Sequence, residues 1–123
     1  MNENYKEELL NRLLKFSVRI IVLASKLPKT PAGYAIANQV IRAACSIGAN
    51  CEEAQDAISP REFLHSMNIS LKEARETRYW LRVILESKLI SPHLVECELD
   101  ECNQIVAILT STVKSIKRKL SGK

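Results

Sequence analysis

Little in this sequence can interrupt a helix. It holds only 3 glycines and 4 prolines in 123 residues, so tight turns and irregular loops have few places to form. Aromatic residues make up 5%. No run of about 18 apolar residues occurs, which excludes a membrane-spanning helix. The opening Met1-Asn2-Glu3-Asn4-Tyr5-Lys6-Glu7 lacks the basic-then-apolar order of a signal peptide, so the expected location is the cytoplasm. Of the 2 histidines, His65 follows Glu62 by three residues and His93 follows an isoleucine by three; a single Glu-x-x-His is half of the paired motif that metal sites in helical bundles use. Cys45, Cys51, Cys97 and Cys102 contain no pair with the two-residue gap of a zinc knuckle or redox motif. Neither Cys45/Cys51 nor Cys97/Cys102 shares a helix face, and buried, reduced thiols are the expectation. There is no glycine-rich phosphate loop and no Gly-x-Ser-x-Gly turn. No catalytic residue, metal ligand or cofactor site is assigned, and a non-enzyme is expected.

What is abundant is helix former. Hydrophobic residues make up 46% and charged residues 26%, the balance of a globular chain of one domain, residues 1–123. Four segments have helical periodicity, at about 3–27, 31–57, 60–87 and 92–120. Pro28 closes the first, and Thr30-Pro31, Ser59-Pro60 and Ser91-Pro92 read as cap-plus-proline starts of the others. Glu62 completes a capping box with Ser59. Four amphipathic helices with short turns predict an all-α, antiparallel up-down-up-down bundle. The apolar stripes are Leu10, Leu13, Ser17, Ile20, Ala24 and Leu27, widened by Leu14, Ile21 and Leu23, in the first helix; Val40, Ala44, Ile47 and Cys51 in the second; Leu64, Met67, Leu71, Ala74, Leu81 and Leu85 in the third. In the fourth, Val95, Leu99, Cys102, Val106, Leu109, Val113, Ile116 and Leu120 keep a seven-residue repeat. Gly48, inside the second helix, predicts close approach of a neighbouring helix or another subunit.

A polar row runs beside the apolar face of the second helix: Gln39, Arg42, Ser46, Asn50 and Glu53. Either it lies open to water or another helix supplies matching groups, since polar groups on a packed face need partners. The third helix has such a row in Ser66, Ser70, Glu73 and Thr77. Folding the two helices about Ser59 predicts Asn50 near Ser66, Ser46 near Ser70, and an internal Arg42–Glu73 pair.

Net charge is +4, which permits nucleic-acid contact without demanding it. Arg12, Lys15, Arg19 and Lys26 lie along one side of the first helix, and Lys114, Lys117, Arg118 and Lys119 fill the last turns of the fourth. Each set is either a solvated face that suits the helix or a surface for phosphates or an acidic partner. Lys72–Glu76 reads as a local i,i+4 pair, and Arg61 as the cation nearest to Glu52, Glu53 and Asp56 at the end of the second helix. Tyr79 and Trp80 read as packing rather than as a base-stacking platform, because no second aromatic lies at stacking distance.

One run of residues carries a family resemblance: Leu27-Pro28-Lys29, then Gln39, Arg42, Ser46-Ile47-Gly48, Asn50 and Glu53, then Ser59-Pro60 with Phe63, and finally Glu73. It resembles the bacterial four-helix-bundle proteins first described as encoded within intervening sequences of large-subunit ribosomal RNA genes. It is similar as well to the accessory variability determinant of diversity-generating retroelements. The likeness spans about Glu8 to Lys119. It implies an antiparallel bundle, a ring-like homopentamer and no catalysis; in the retroelement branch it implies a basic surface for RNA or DNA and a reverse transcriptase partner. Two functions follow as expectations. One is a nucleic-acid-binding accessory protein contacting phosphates through Arg12, Lys15, Arg19, Lys26, Lys114, Lys117 and Arg118. The other is a protein–protein scaffold, with surplus apolar residues such as Val18, Val22, Ile41 and Ile69 at subunit contacts.

Overall fold

The computed structural model describes residues 2–122 as four helices: α1 (Glu3–Ala24), α2 (Pro31–Ala54), α3 (Pro60–Ser87) and α4 (Pro92–Gly122). The expected domain bounds, and the frayed end expected at Ser121-Gly122-Lys123, reach Met1 and Lys123, which lie outside the described residues; Ser121 and Gly122 are still helical. Consecutive helices pack side by side, α1 closes against α4, and the backbones of the diagonal pairs stay apart. The chain is therefore an antiparallel up-down-up-down four-helix bundle. No helix among the described residues is long and apolar enough to cross a membrane.

The starts of the helices follow their caps. Asn2 Oδ1 accepts from Tyr5 N at 2.8 Å, Thr30 Oγ1 from Gly33 N at 3.1 Å, and Ser59 Oγ from Glu62 N at 3.1 Å. Glu62 accepts in turn from Ile58 N at 2.7 Å, one residue further out than a capping box requires. Two ends come earlier than periodicity predicts. α1 stops at Ala24 and α2 at Ala54, because Lys26 N, Leu27 N, Gln55 N, Asp56 N and Ala57 N bond to carbonyls three residues back. That tighter turn closes a helix while keeping its apolar rhythm. α3 ends on Lys88 at φ 56°, the one non-glycine residue with left-handed backbone among the described residues.

Phe16, Leu13, Ile20, Ile47, Met67, Leu81, Ile84, Ile105 and Leu109 fill the core and are essentially inaccessible. The α2 stripe Val40, Ala44, Ile47 and Cys51 is buried as its spacing predicts. Of the stripe expected for α1, Leu13, Ser17, Ile20, Leu23, Ala24 and Leu27 are buried as expected, but one edge differs. Leu9 and Phe16 face the core, whereas Leu14 and Ile21 lie outside it. Gly48 accepts the Leu13 side chain of α1: a Cβ there would sit 3.4 Å from Leu13 Cβ. Gly33 is tighter still. A Cβ on it would lie 1.9 Å from the Pro28 carbonyl oxygen, so the α1–α2 connection folds directly over the first turn of α2.

Candidate functional site

The polar rows of α2 and α3 meet, but differently from the expected zipper. Arg42 Nη1 donates to Glu73 Oε1 at 3.2 Å, and Arg42 Nη2 reaches Glu76 Oε2 and, at 3.4 Å, Gln39 Oε1. Trp80 Nε1 donates to the same Glu76 oxygen at 3.1 Å. The Arg42 side chain is 47% exposed, so this cluster sits at the solvent rim rather than inside the bundle. Water screens it, and the large penalty of stranding a buried charge does not apply. Deeper in, Ser70 Oγ donates to the Ile47 carbonyl at 2.7 Å and lies 3.2 Å from Cys51 Sγ, not against Ser46. Asn50 Nδ2 donates to the Ser46 carbonyl of its own helix at 2.8 Å, not to Ser66. Thr77 Oγ1 bonds back to the Glu73 carbonyl at 2.8 Å. Short polar side chains find the nearest helix carbonyl before they find one another. Ser66 is buried, and the exposed Glu53 lines a shallow groove beside it.

The seven cations expected to bind phosphate do not form one patch. Arg12 grips α4 with a two-point pair, Nε to Glu101 Oε2 at 2.6 Å and Nη2 to Glu101 Oε1 at 2.9 Å, and adds Gln104 Oε1 at 2.8 Å. Arg19 Nε lies 3.1 and 3.0 Å from the two oxygens of Glu98, with its guanidinium 5.9 Å from the Phe16 ring centroid. The Arg12 guanidinium holds the Glu101 carboxyl below its ordinary value, and Glu101 raises Arg12 in turn. These two arginines are clamps between α1 and α4. Lys15, Lys26, Lys114, Lys117 and Arg118 are exposed, with no carboxylate within 4 Å among the described residues. They are also separated. Lys26 shares a groove with His93 and Leu94, while the end of α4 lies beside Tyr5, at the other end of the bundle.

The cations of α3 were not expected to form a site, and the exposed apolar row of α1 was expected only at Val18 and Val22. On α3, Lys72, Arg75, Arg78 and Arg82 have no carboxylate within 4 Å among the described residues; the expected Lys72–Glu76 pair is absent because Glu76 turns to Arg42 and Trp80. Their spacing of three and four was visible as a signal. Arg61, expected beside the acids ending α2, makes no ion pair among the described residues either. On α1, Leu14, Val18, Ile21 and Val22 are 59%, 53%, 45% and 50% exposed. A groove of about 340 Å³ runs beside them toward Cys45, Gly48 and Ala49 of α2, and another of about 350 Å³ toward Leu94 and Cys97 of α4. Ile41 and Ile69, expected at subunit contacts, are half-buried, and Ile41 packs on the core.

The reactive groups are dispersed. Cys51 and Cys102 are buried, and burial pushes the Cys51 thiol up and the Cys102 thiol up to about 12. Both are protonated and poor nucleophiles at neutral pH. Cys97 is exposed and Cys45 half-buried. His65 and His93 are exposed, and neither joins a hydrogen bond or ion pair among the described residues. No group of three or more metal-capable side chains occurs among those residues.

No curated protein matches the sequence. Among solved structures, a protein of unknown function from the S23 ribosomal protein family of Bacteroides thetaiotaomicron VPI-5482 is similar. It is 34% identical, the match covers 86% of this chain and 98% of that one, and the TM-score is 0.80. Residues 6–111, which include the α2 polar row, the Ser59-Pro60 start and Glu73, match the family described as 23S rRNA-intervening sequence protein, and the chain belongs to that family.

Proposed function

We propose that this chain is a non-catalytic bundle that assembles with copies of itself through the outer face of α1. The observation that carries the reading is the half-exposed row of Leu14, Val18, Ile21 and Val22. Burying such a side chain from full exposure is worth roughly 1.5–3 kcal/mol, so each half-exposed one has about half of that left to gain, and contiguous exposed apolar patches mark interaction sites. A second copy suits it because one α1 ridge has a groove on either side, so each copy offers both a knob and a slot. Glu52 rims the α1–α2 groove and Lys26 the α1–α4 groove, which gives the two slots opposite signs. Such a ridge-to-groove contact is heterologous and closes into a ring when the rotation allows. The ring-shaped homopentamer implied by the family resemblance is the assembly proposed. Sedimentation velocity tests it. The wild type should sediment as an oligomer, and Val18→Asp with Val22→Asp as a monomer of unchanged helical circular dichroism. A wild type that stays monomeric at the highest attainable concentration overturns the reading.

Nucleic-acid binding is the second reading. It is favoured by Lys114, Lys117 and Arg118 at the end of α4, unpaired among the described residues, which a ring would multiply, with Lys15 and Lys26 on α1. Binding of this kind weakens steeply with salt. RNA or DNA that fails to shift at low salt overturns it.

A further inference from the structure

We propose that the outer face of α3 is a binding ridge for single-stranded nucleic acid, with Lys72, Arg75 and Arg82 on phosphates and Tyr79 stacking a base. The inference rests on the nucleic-acid reading above for the class of partner, but moves the contact to a different helix. At 100° per residue, Arg61, Lys72, Arg75, Tyr79 and Arg82 fall within about 80° of one another on the side of α3 opposite its buried face. They run along about 31 Å of helix at 1.5 Å per residue, and all five are exposed.

Three observations set this ridge apart from an ordinary solvated face. The first is where the acids go. Glu76 lies four residues beyond Lys72, the spacing of a helical ion pair, yet it turns to Arg42 and also holds the Trp80 indole, and Glu73 turns to Arg42 as well. The ridge cations are left without a carboxylate within 4 Å among the described residues. The second is the contrast with α1, where Arg12 and Arg19 are neutralised by Glu101 and Glu98. The third is the aromatic. Tyr79 is 58% exposed, between Arg75 and Arg82, and its ring is braced by Trp80 at 5.4 Å between centroids and 70° between planes. An exposed, braced ring flanked by cations is the combination that single strands use, because every base has a face to stack.

Shape selects the single strand over the duplex. The major groove, about 12 Å wide, admits one helix about 10–12 Å across. α3 has α2 and α4 packed on either side, at the 8–10 Å spacing of packed helices. Those shoulders keep the ridge out of a groove, while a flexible strand can lie along it.

The test is fluorescence anisotropy of a labelled uridine dodecamer, and of a duplex of equal length, with the full chain. The wild type should bind the single strand more tightly than the duplex, with a log–log salt slope of about −0.7 for each phosphate neutralised. Lys72→Glu, Arg75→Glu and Arg82→Glu together should abolish binding. Tyr79→Ala should weaken it about five- to a hundredfold without changing the salt slope. Lys114→Glu, Lys117→Glu and Arg118→Glu together, which remove the α4 contacts of the second reading, should weaken binding far less than the α3 triple. If that α4 triple abolishes binding and the α3 triple keeps it, the ridge is wrong while the second reading stands; no binding by the wild type removes both. Equal losses in the two triples, a duplex bound as well as the strand, an inert Tyr79→Ala, or displacement by polyglutamate as effective as by unlabelled strand would each overturn the ridge. Circular dichroism and the oligomeric state, which depends on α1, should be unchanged in every variant.

Discussion

The α2–α3 pair and the α1–α4 pair are both antiparallel neighbours in one bundle, yet they are held by opposite means. α2 and α3 approach closely through small residues: Ala43 and Cys51 on one side and Ser70, Ala74 and Thr77 on the other are fully buried. Their inner hydroxyls are tied to main-chain carbonyls. α1 and α4 approach least closely of the adjacent pairs. They are joined at the rim by Arg12–Glu101 and Arg19–Glu98, with an open groove alongside. The difference separates two uses of polarity. Inside the tight pair, polar atoms fix register and leave nothing for a partner. Around the looser pair, charges span the gap while apolar side chains point outward, and that is where a partner can add burial.

The largest effect should come from the joint between α1 and α2. Gly33→Ala places a methyl against the Pro28 carbonyl, a backbone atom that cannot move aside without shifting the connection. Urea denaturation should show a loss of at least about 1–3 kcal/mol; a loss within about 0.5 kcal/mol would mean that the connection adjusts freely. Next comes the tight pair itself. Ser70→Val adds volume beside Ile47 and Cys51 and deletes the 2.7 Å bond to the Ile47 carbonyl, for about 1–3 kcal/mol of destabilisation. Val18→Ile adds similar bulk on the exposed face of α1 and should stay within about 0.5 kcal/mol. Equal responses at the two sites would erase the distinction between closed and open packing.

The parts of this contrast differ in how legible they were. Spacing alone placed Val40, Ala44, Ile47 and Cys51 in the core, because α2 has one narrow apolar arc. The apolar arc of α1 is wider than the core needs, and nothing local says which edge turns outward. Leu14 and Ile21 were therefore read as core, where Leu9 and Phe16 stand instead. Arg12 and Arg19 looked like a free basic stripe because their acids lie 89 and 79 residues away in sequence. Arg42–Glu73 was legible as a contact, since two helices folded about Ser59 bring those numbers together. Its depth was not, because exposure depends on how far each helix is rotated. The partner of Ser70 is a carbonyl, which every residue carries and no sequence marks.

The ion-paired rim makes its own demand on pH. Glu101 lies below its ordinary carboxyl value, first because Arg12 hydrogen-bonds it, with burial opposing and the charges of Arg12 and Arg19 assisting. A carboxyl depressed in the folded state binds fewer protons there than in the unfolded chain. Its stabilisation is complete above the unfolded value of about 4.3 and disappears as pH falls through the lower folded value. Arg12 is 35% exposed, so solvent screening holds the contribution to about 1 kcal/mol or less. Glu101→Gln should therefore be less stable than wild type at pH 7, with the gap closing near pH 3. A gap that persists in acid would assign the loss to packing.

The smallest effect asks whether the two pairs unfold together. Lys88 holds a left-handed backbone that glycine adopts without strain, so Lys88→Gly should add up to about 1 kcal/mol. It lies in the α3–α4 turn, in neither contact under comparison. Leu13, Phe16 and Ile20 of α1 belong to the same core cluster as Ile47 of α2, Met67 and Leu81 of α3 and Leu109 of α4. Opening α1 alone would expose that whole cluster, so the bundle should behave as one cooperative unit despite its open side. In native-state hydrogen exchange, the slowest amides of α1 and of α3 should gain the same protection from Lys88→Gly. A gain confined to α3 would show that α1 opens by itself, and that the looseness along α4 extends into the core.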